Sequence, residues 1–218
     1  MSALPKQLAA EFIGTALLLA TIVGSGIMGE KLAGGNAAIA LLANAIATGA
    51  VLYSLLSALG PVSGAHFNPL VTLSEVMLGR FKSKPAIAYV VIQVIGALVG
   101  VLIAHRMFEL PAFFPSHHVR SGSAQLLSEV VATFGLLLVI FQCARHKPES
   151  TPAVVGLYIT AAYWFTASTS FANPAVTIAR SMTDTFAGIR PLDAAGFIAA
   201  QFIGAFLAML FYRWLVRD

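Results

Sequence analysis

Residues 170–180 read SFANPAVTIAR, and residues 66–78 read HFNPLVTLSEVML. Each stretch sets Asn-Pro in front of a short apolar helical pattern, about 68–79 in the first half of the chain and 173–183 in the second. Proline suits the first turn of a helix, where a missing N–H costs no intrahelical bond. Asparagine is a favoured cap, because its side-chain oxygen accepts from N–H groups of the first turn. Each Asn-Pro therefore marks a helix start. At ~1.5 Å per residue, such short helices reach only about halfway across a ~30 Å hydrocarbon layer.

The rest of the chain is built to sit in that layer. Of 218 residues, 58% are hydrophobic and only 10% are charged, against about 25% charged in an ordinary soluble domain. Mean hydropathy is +0.85. Six long apolar stretches lie at roughly 7–28, 36–59, 85–106, 124–144, 151–169 and 193–214. Each is near the ~20 residues a spanning helix needs. The first run is longer than the ~7–15 residue core of a cleavable signal and is read as a retained span. The single cysteine, Cys143, excludes an internal disulfide and any multi-cysteine metal site. No cofactor and no metal are expected.

A net charge of +4 is read as topology, not as a nucleic-acid footprint, and no nucleic-acid motif accompanies it. With the amino terminus in the cytoplasm, Lys6, Arg80, Lys82, Lys84, Arg145, Lys147, Arg213 and Arg217 fall inside. Lys31, Arg106, Arg120, Arg180 and Arg190 fall outside. Eight of the chain's thirteen basic residues inside against five outside favours both termini in the cytoplasm. The expected location is the cell inner (plasma) membrane.

The chain is also written twice. EFIGTALLL at Glu11 parallels EVVATFGLLL at Glu129, each with a Thr four residues on (Thr15, Thr133). FNPLVTL around Asn68 parallels ANPAVTI around Asn173, and QVIGALVG at Gln93 parallels QFIGAFLA at Gln201. Each repeat, about 7–106 and 124–214, holds three spans and one half-helix. Three is odd, so the second repeat is inserted upside down, and such repeats place their working site near the midplane where broken helices meet. The expected fold is an all-α membrane protein. It is a single domain over 1–218, with six transmembrane helices, two re-entrant half-helices and an inverted repeat.

Two facing helix amino termini bring positive dipole ends together. Asn68 and Asn173 add amide donors there. An apolar path with donors at its middle suits neutral hydrogen-bonding solutes, repels cations and interrupts a proton-hopping water chain.

These motifs, in this order over nearly the whole chain, resemble the major intrinsic protein family, the aquaporins and aquaglyceroporins. The resemblance implies a right-handed six-span bundle with one pore per protomer, assembled as a homotetramer in the lipid bilayer. It assigns Asn68, Pro69 and Leu70, with Asn173, Pro174 and Ala175, to the paired pore motifs. Leu70 stands where the family usually has Ala. Two readings stay open: the larger side chain narrows the midpoint, or it packs against neighbouring helices. Val176 stands where most members place the arginine of the outer filter. Arg180 follows one helical turn later and is expected at the outer mouth. Counting back without gaps gives the other filter positions as Thr48, Ala161 and Ser170. That filter of Thr48, Ala161, Ser170 and Val176 is wide and uncharged.

Such a filter points to neutral solutes larger than water, namely polyols such as glycerol and undissociated arsenous acid. Val176 resembles a bacterial subgroup associated with arsenic resistance. A water-selective channel is the alternative, and an ion-coupled secondary transporter ranks below it. Glu11 and Glu129, inside spans, read either as proton-coupling groups or as buttresses for the loops leading to the half-helices. Symmetry and the resemblance favour buttressing. His66 is read as a fixed, pore-adjacent residue. Gln93 and Gln201 are read as interhelical bonds, and Gly14, Gly96 and Gly204 as close helix contacts. His117 and His118 form a solvated loop pair. An intramembrane protease would have to unite Ser63 or Ser170 with His66, and nothing in the motifs calls for it. The chain is not expected to be an enzyme.

Overall fold

In the computed structural model, which describes residues 3–217, eight α-helices follow one another: α1 Leu4–Leu32, α2 Ala37–Ser63, α3 Pro69–Met77, α4 Ser83–Met107, α5 Ser123–His146, α6 Thr151–Phe165, α7 Pro174–Arg180 and α8 Pro191–Leu215. The order long, long, short, long occurs twice. Five helices are long and apolar enough to cross a membrane. The sixth, α6, has 15 residues, roughly 22 Å at ~1.5 Å per residue, and a 3-10 turn at Pro148–Ser150 leads into it. The half-helices α3 and α7 have 9 and 7 residues, so each stops well short of a crossing.

Three boundaries differ from the sequence reading, each for a local reason. α6 ends at Phe165, not at 169, because the chain turns extended at Thr166 and then left-handed at Thr169 and Ser170. α3 ends before Gly79, whose φ of 74° reverses the chain while Arg80 and Phe81 N–H groups cap the Glu75 carbonyl. α7 ends at Arg180, where the chain turns to run beside the 108–122 loop. There the Phe114 N–H bonds Met182 O and the Ser116 N–H bonds Ser181 O.

The solvent for this surface is lipid, and the pattern of burial says so. Ile13, Leu17, Ile39, Leu42, Leu157 and Phe206 are exposed on the long helices. Glu11, Asn44, Gln93, Glu129, Thr133 and Gln201 are buried. This inverts the usual soluble arrangement, as expected where hydrocarbon surrounds the protein and polar groups must find partners inside it.

α1 packs on α4 and α2, and α5 on α8 and α6, so the two repeats have the same internal packing. Small residues make these crossings close. A Cβ added at Gly96 would lie 2.6 Å from the Phe12 carbonyl oxygen, and one at Gly100 2.2 Å from that of Ala16. In the second repeat a Cβ at Gly204 would lie 2.4 Å from the Val130 carbonyl oxygen. α2 and α6, from opposite repeats, cross glycine on glycine: a Cβ at Gly156 would sit 2.6 Å from Gly49 O. Close backbone approach of this kind drives helix association where lipid offers no hydrophobic contrast.

Gly204→Ala should therefore force α5 and α8 apart and lower stability by about 1–3 kcal/mol. Gly60→Ala, where nothing lies within 4 Å of the new Cβ, should be near neutral. Thermal unfolding of the detergent-solubilised protein checks the pair, and equal midpoints would contradict the close-contact argument.

Candidate functional site

The two loops that lead to the half-helices carry an unusual backbone. Ala65 and Phe67 before α3, and Ser170 and Ala172 before α7, all have φ near +50°. Non-glycine residues rarely hold that conformation, and it persists only where surrounding contacts fix it. Here the contacts are two carboxylates. Glu11 accepts from the Ser63 hydroxyl (2.7 Å), the His66 N–H (2.9 Å), the Phe67 N–H (2.8 Å) and the Gln93 amide (2.8 Å). Glu129 accepts from the Ser168 hydroxyl (2.6 Å), the Phe171 N–H (2.9 Å), the Ala172 N–H (2.9 Å) and the Gln201 amide (2.6 Å). The glutamines also reach the half-helices, Gln93 to Thr72 Oγ1 at 3.0 Å and Gln201 to Thr177 Oγ1 at 2.8 Å. Both carboxylates are 0% exposed. Gly14, beneath the first loop, leaves the room that the Phe67 ring occupies.

The loops then lock each other. The Asn68 amide donates to Ala172 O and the Asn173 amide donates to Phe67 O, each at 2.8 Å. The Asn68 oxygen accepts from the Leu70 N–H, and the Asn173 oxygen accepts from the Ala175 and Val176 N–H groups. Pro69 and Pro174 occupy the first helical turn. A side-chain amide has two N–H donors, so each asparagine keeps one beyond this exchange. Both asparagines line a cavity of about 300 Å³.

That cavity runs the length of the bundle. Glu75, Ala144 and Thr151 line it on one side of the asparagine pair, and Thr48, Ser170 and Val176 line it on the other. Glu75 also faces Arg80 at 3.6 Å. His66 lines it too, its Nδ1 3.1 Å from Thr72 Oγ1 and its ring packed against Phe81 and Tyr89. Leu70 does not face the cavity. It is buried with Val71, Leu137, Phe141 and Tyr212, so of its two readings the packing one describes its place. Ala175 is likewise buried in the core.

Two sequence expectations need correction at the outer end. Ala161 is exposed and turned away from the cavity; α6 contributes Ile159 and Tyr163 instead. The ungapped count missed by two residues, and two residues are about 200° of helix, the opposite face. Tyr163 lies 3.2 Å from Thr48 Oγ1, whose own hydroxyl donates to Asn44 O. The narrow end is also not uncharged. Arg180 lines the cavity and is 1% exposed. Its Nε donates to Ala187 O, and its guanidinium carbon stands 3.5 Å above the Phe171 ring.

Arg120, which no motif singled out, comes to the same ring from the 108–122 loop. Its guanidinium carbon is 5.2 Å from the Phe171 centroid, with Nε bonded to Gly188 O and Nη1 to Ser168 O. Burial lowers Arg120 to about 10, which leaves it charged at neutral pH. A loop arginine has no periodicity to announce it; only the tertiary fold brings it here.

His117 and His118 lie at the outer surface. His117 bonds Asp184 through its N–H (2.8 Å) and its ring Nδ1 (2.9 Å). These bonds hold the Asp184 carboxyl below its ordinary 3.8. A carboxyl depressed in the folded state stabilises above its unfolded value and loses that contribution as pH falls through the folded value. Hydrogen exchange over residues 114–118, corrected for intrinsic rate, should therefore loosen between about pH 4 and pH 2, and Asp184→Asn should remove that dependence. Deeper in, Glu129→Gln should cost about 3 kcal/mol, as charge-assisted bonds at ~1.5–3 kcal/mol each are weakened. Thermal unfolding in detergent reads it, and an unchanged midpoint would rule out the carboxylate as the loop's anchor.

The model of the major intrinsic protein family matches residues 1–170. A Rhizobium meliloti protein named aquaglyceroporin AqpS is 54% identical over 98% of this chain and 91% of its own length. A probable aquaporin AqpM of Archaeoglobus fulgidus is 31% identical over 99% of this chain and 98% of its own. Among solved structures, the aquaglyceroporin of Plasmodium falciparum superimposes with a TM-score of 0.75 at 22% identity, covering 96% of each chain. At that identity the likeness speaks for the fold alone.

Proposed function

Because the chain belongs to the major intrinsic protein family, we propose that it is a passive channel for small uncharged solutes, of the glycerol class and including undissociated arsenous acid. The observation that carries this reading is the single cavity lined from Glu75 and Thr151 through Asn68 and Asn173 to Ser170 and Val176. A path open along the bundle and lined by fixed donors needs no moving part. The relative named an aquaglyceroporin supports the solute class. Val176 supports it too, since a short apolar side chain leaves the wall free where a longer one would fill it. In this reading the protein is a homotetramer in the plasma membrane with both termini in the cytoplasm, and each protomer conducts.

The midpoint sets what passes. A solute shedding water there meets the free N–H of each asparagine amide. A water held by both donors points its own hydrogens away from the pair, so a proton chain is broken at that point. Thr48, Ser170 and Val176 form the outer wall that sizes the solute.

A coupled transporter would need carboxylates that exchange protons with the path. Glu11 and Glu129 each already accept four bonds, and neither lines the cavity. Nor is there a serine–histidine couple: Ser63 donates to Glu11, and His66 pairs with Thr72.

Stopped-flow light scattering on proteoliposomes decides among these readings. Native protein should pass glycerol and arsenous acid faster than empty vesicles, with no dependence on an imposed ion gradient. Val176→Arg should slow both solutes about tenfold, equivalent to ~1.4 kcal/mol of barrier, and slow water less. Flux of water alone would establish the water-selective alternative. Dependence on the gradient would establish the transporter.

A further inference from the structure

Two polar atoms in the wall of the outer cavity are buried and have no hydrogen-bond partner: Nη1 of Arg180 and Oγ of Ser170. Both residues line the cavity. An orphaned buried donor is costly to leave unmade, and each such atom in a folded protein calls for an explanation. Most of Arg180 is fixed. Its Nε is tied to Ala187 O and its plane is laid over Phe171, whose ring is held edge-on by Phe197 at 5.1 Å. Tyr163 is its polar neighbour across the path. Among the described residues Arg180 has no ion pair, and Arg120 adds a second guanidinium on the same ring. The nearest buried carboxylate, Glu129, is occupied by the loop.

We propose that Arg180 is the specificity-determining residue of the outer constriction, presenting Nη1, together with Ser170 Oγ, to an oxygen of the passing solute while its uncompensated charge excludes cations. Val176 and Arg180 are one helical turn apart, so both face the path from α7. The guanidinium enters from above the wall instead of through it. The opening at Val176 stays wide, and the charge is kept. The solute recognised is one with a hydroxyl or other acceptor oxygen that reaches Arg180 and Ser170 together. This rests on the channel reading above and adds the residue that carries its selectivity.

Charge and hydrogen bonding are separable by substitution. Native protein, Arg180→Lys and Arg180→Gln are reconstituted in vesicles carrying a pH-sensitive dye. Proton flux under a potassium-driven potential and glycerol flux are measured on each. Arg180→Lys keeps the charge but not the planar fork; it should stay proton-tight and lose glycerol flux relative to water. Arg180→Gln keeps a donor without charge; it should raise proton flux about tenfold or more, as loss of an electrostatic barrier requires, and keep glycerol flux. A residue that only stapled Phe171 to Ala187 would give both variants the same lowered melting midpoint and native selectivity. Proton-tight Arg180→Gln with native glycerol flux overturns the proposal. If Arg180→Gln does not fold, the Arg180→Lys pair of readouts decides: unchanged glycerol selectivity overturns it. Native protein that passes neither glycerol nor water overturns the channel reading itself, which is a different result from selective native flux with an indifferent Arg180.

Discussion

Everything in this molecule depends on two carboxylates that are not in the path. Glu11 and Glu129 each gather a serine hydroxyl, two backbone N–H groups and a glutamine amide onto four-bond acceptors. Without them the left-handed turns at Ala65, Phe67, Ser170 and Ala172 would have nothing to hold them, and irregular backbone cannot persist in hydrocarbon unsupported. With them, each half-helix begins at a fixed depth and its asparagine arrives where the other loop's carbonyl is waiting. Two buried charges are thus spent on geometry, and the chemistry of passage is left to neutral amides and one guanidinium.

Much of this was legible in the sequence because it repeats. Glu11 with Thr15 and Glu129 with Thr133, the two Asn-Pro starts, and Gln93 with Gln201 recur in order. A repeated pattern at unequal spacing separates framework from loop. Helix starts were legible for a local reason: asparagine and proline act on their own first turn. Helix ends were less so. α6 stops at Phe165 because Glu129, distant in sequence, takes the N–H groups that would have extended the chain's register.

What the sequence hid was rotational. Ala161 and Tyr163 differ by two residues, and only the length of the intervening loop decides which faces the cavity. Leu70 was ambiguous because its neighbours in the second cluster, Leu137, Phe141 and Tyr212, come from α5 and α8. Arg180 was expected at the mouth. Its inward turn depends on Phe171 for a surface and Ala187 for an acceptor, and neither relation has a signature in a linear pattern. The wide, uncharged filter read from four positions becomes a wide filter with one cation laid across it.

The reciprocal bonds Asn68 to Ala172 and Asn173 to Phe67 have a consequence for how the chain is made. Ribosomes deliver the first repeat before the second. Until residue 172 has entered the bilayer, the Asn68 amide and the Phe67 carbonyl have no protein partner at their final depth, and a bare polar pair in lipid is unfavourable. The Glu11 anchor is available early, since Ser63, His66, Phe67 and Gln93 all belong to the first repeat. The nascent first half can therefore hold its loop but not close its centre. Pore completion is a late event of biosynthesis, conditional on the second half-helix, and a truncated chain ending before it is left with an open polar gap that quality-control machinery can read.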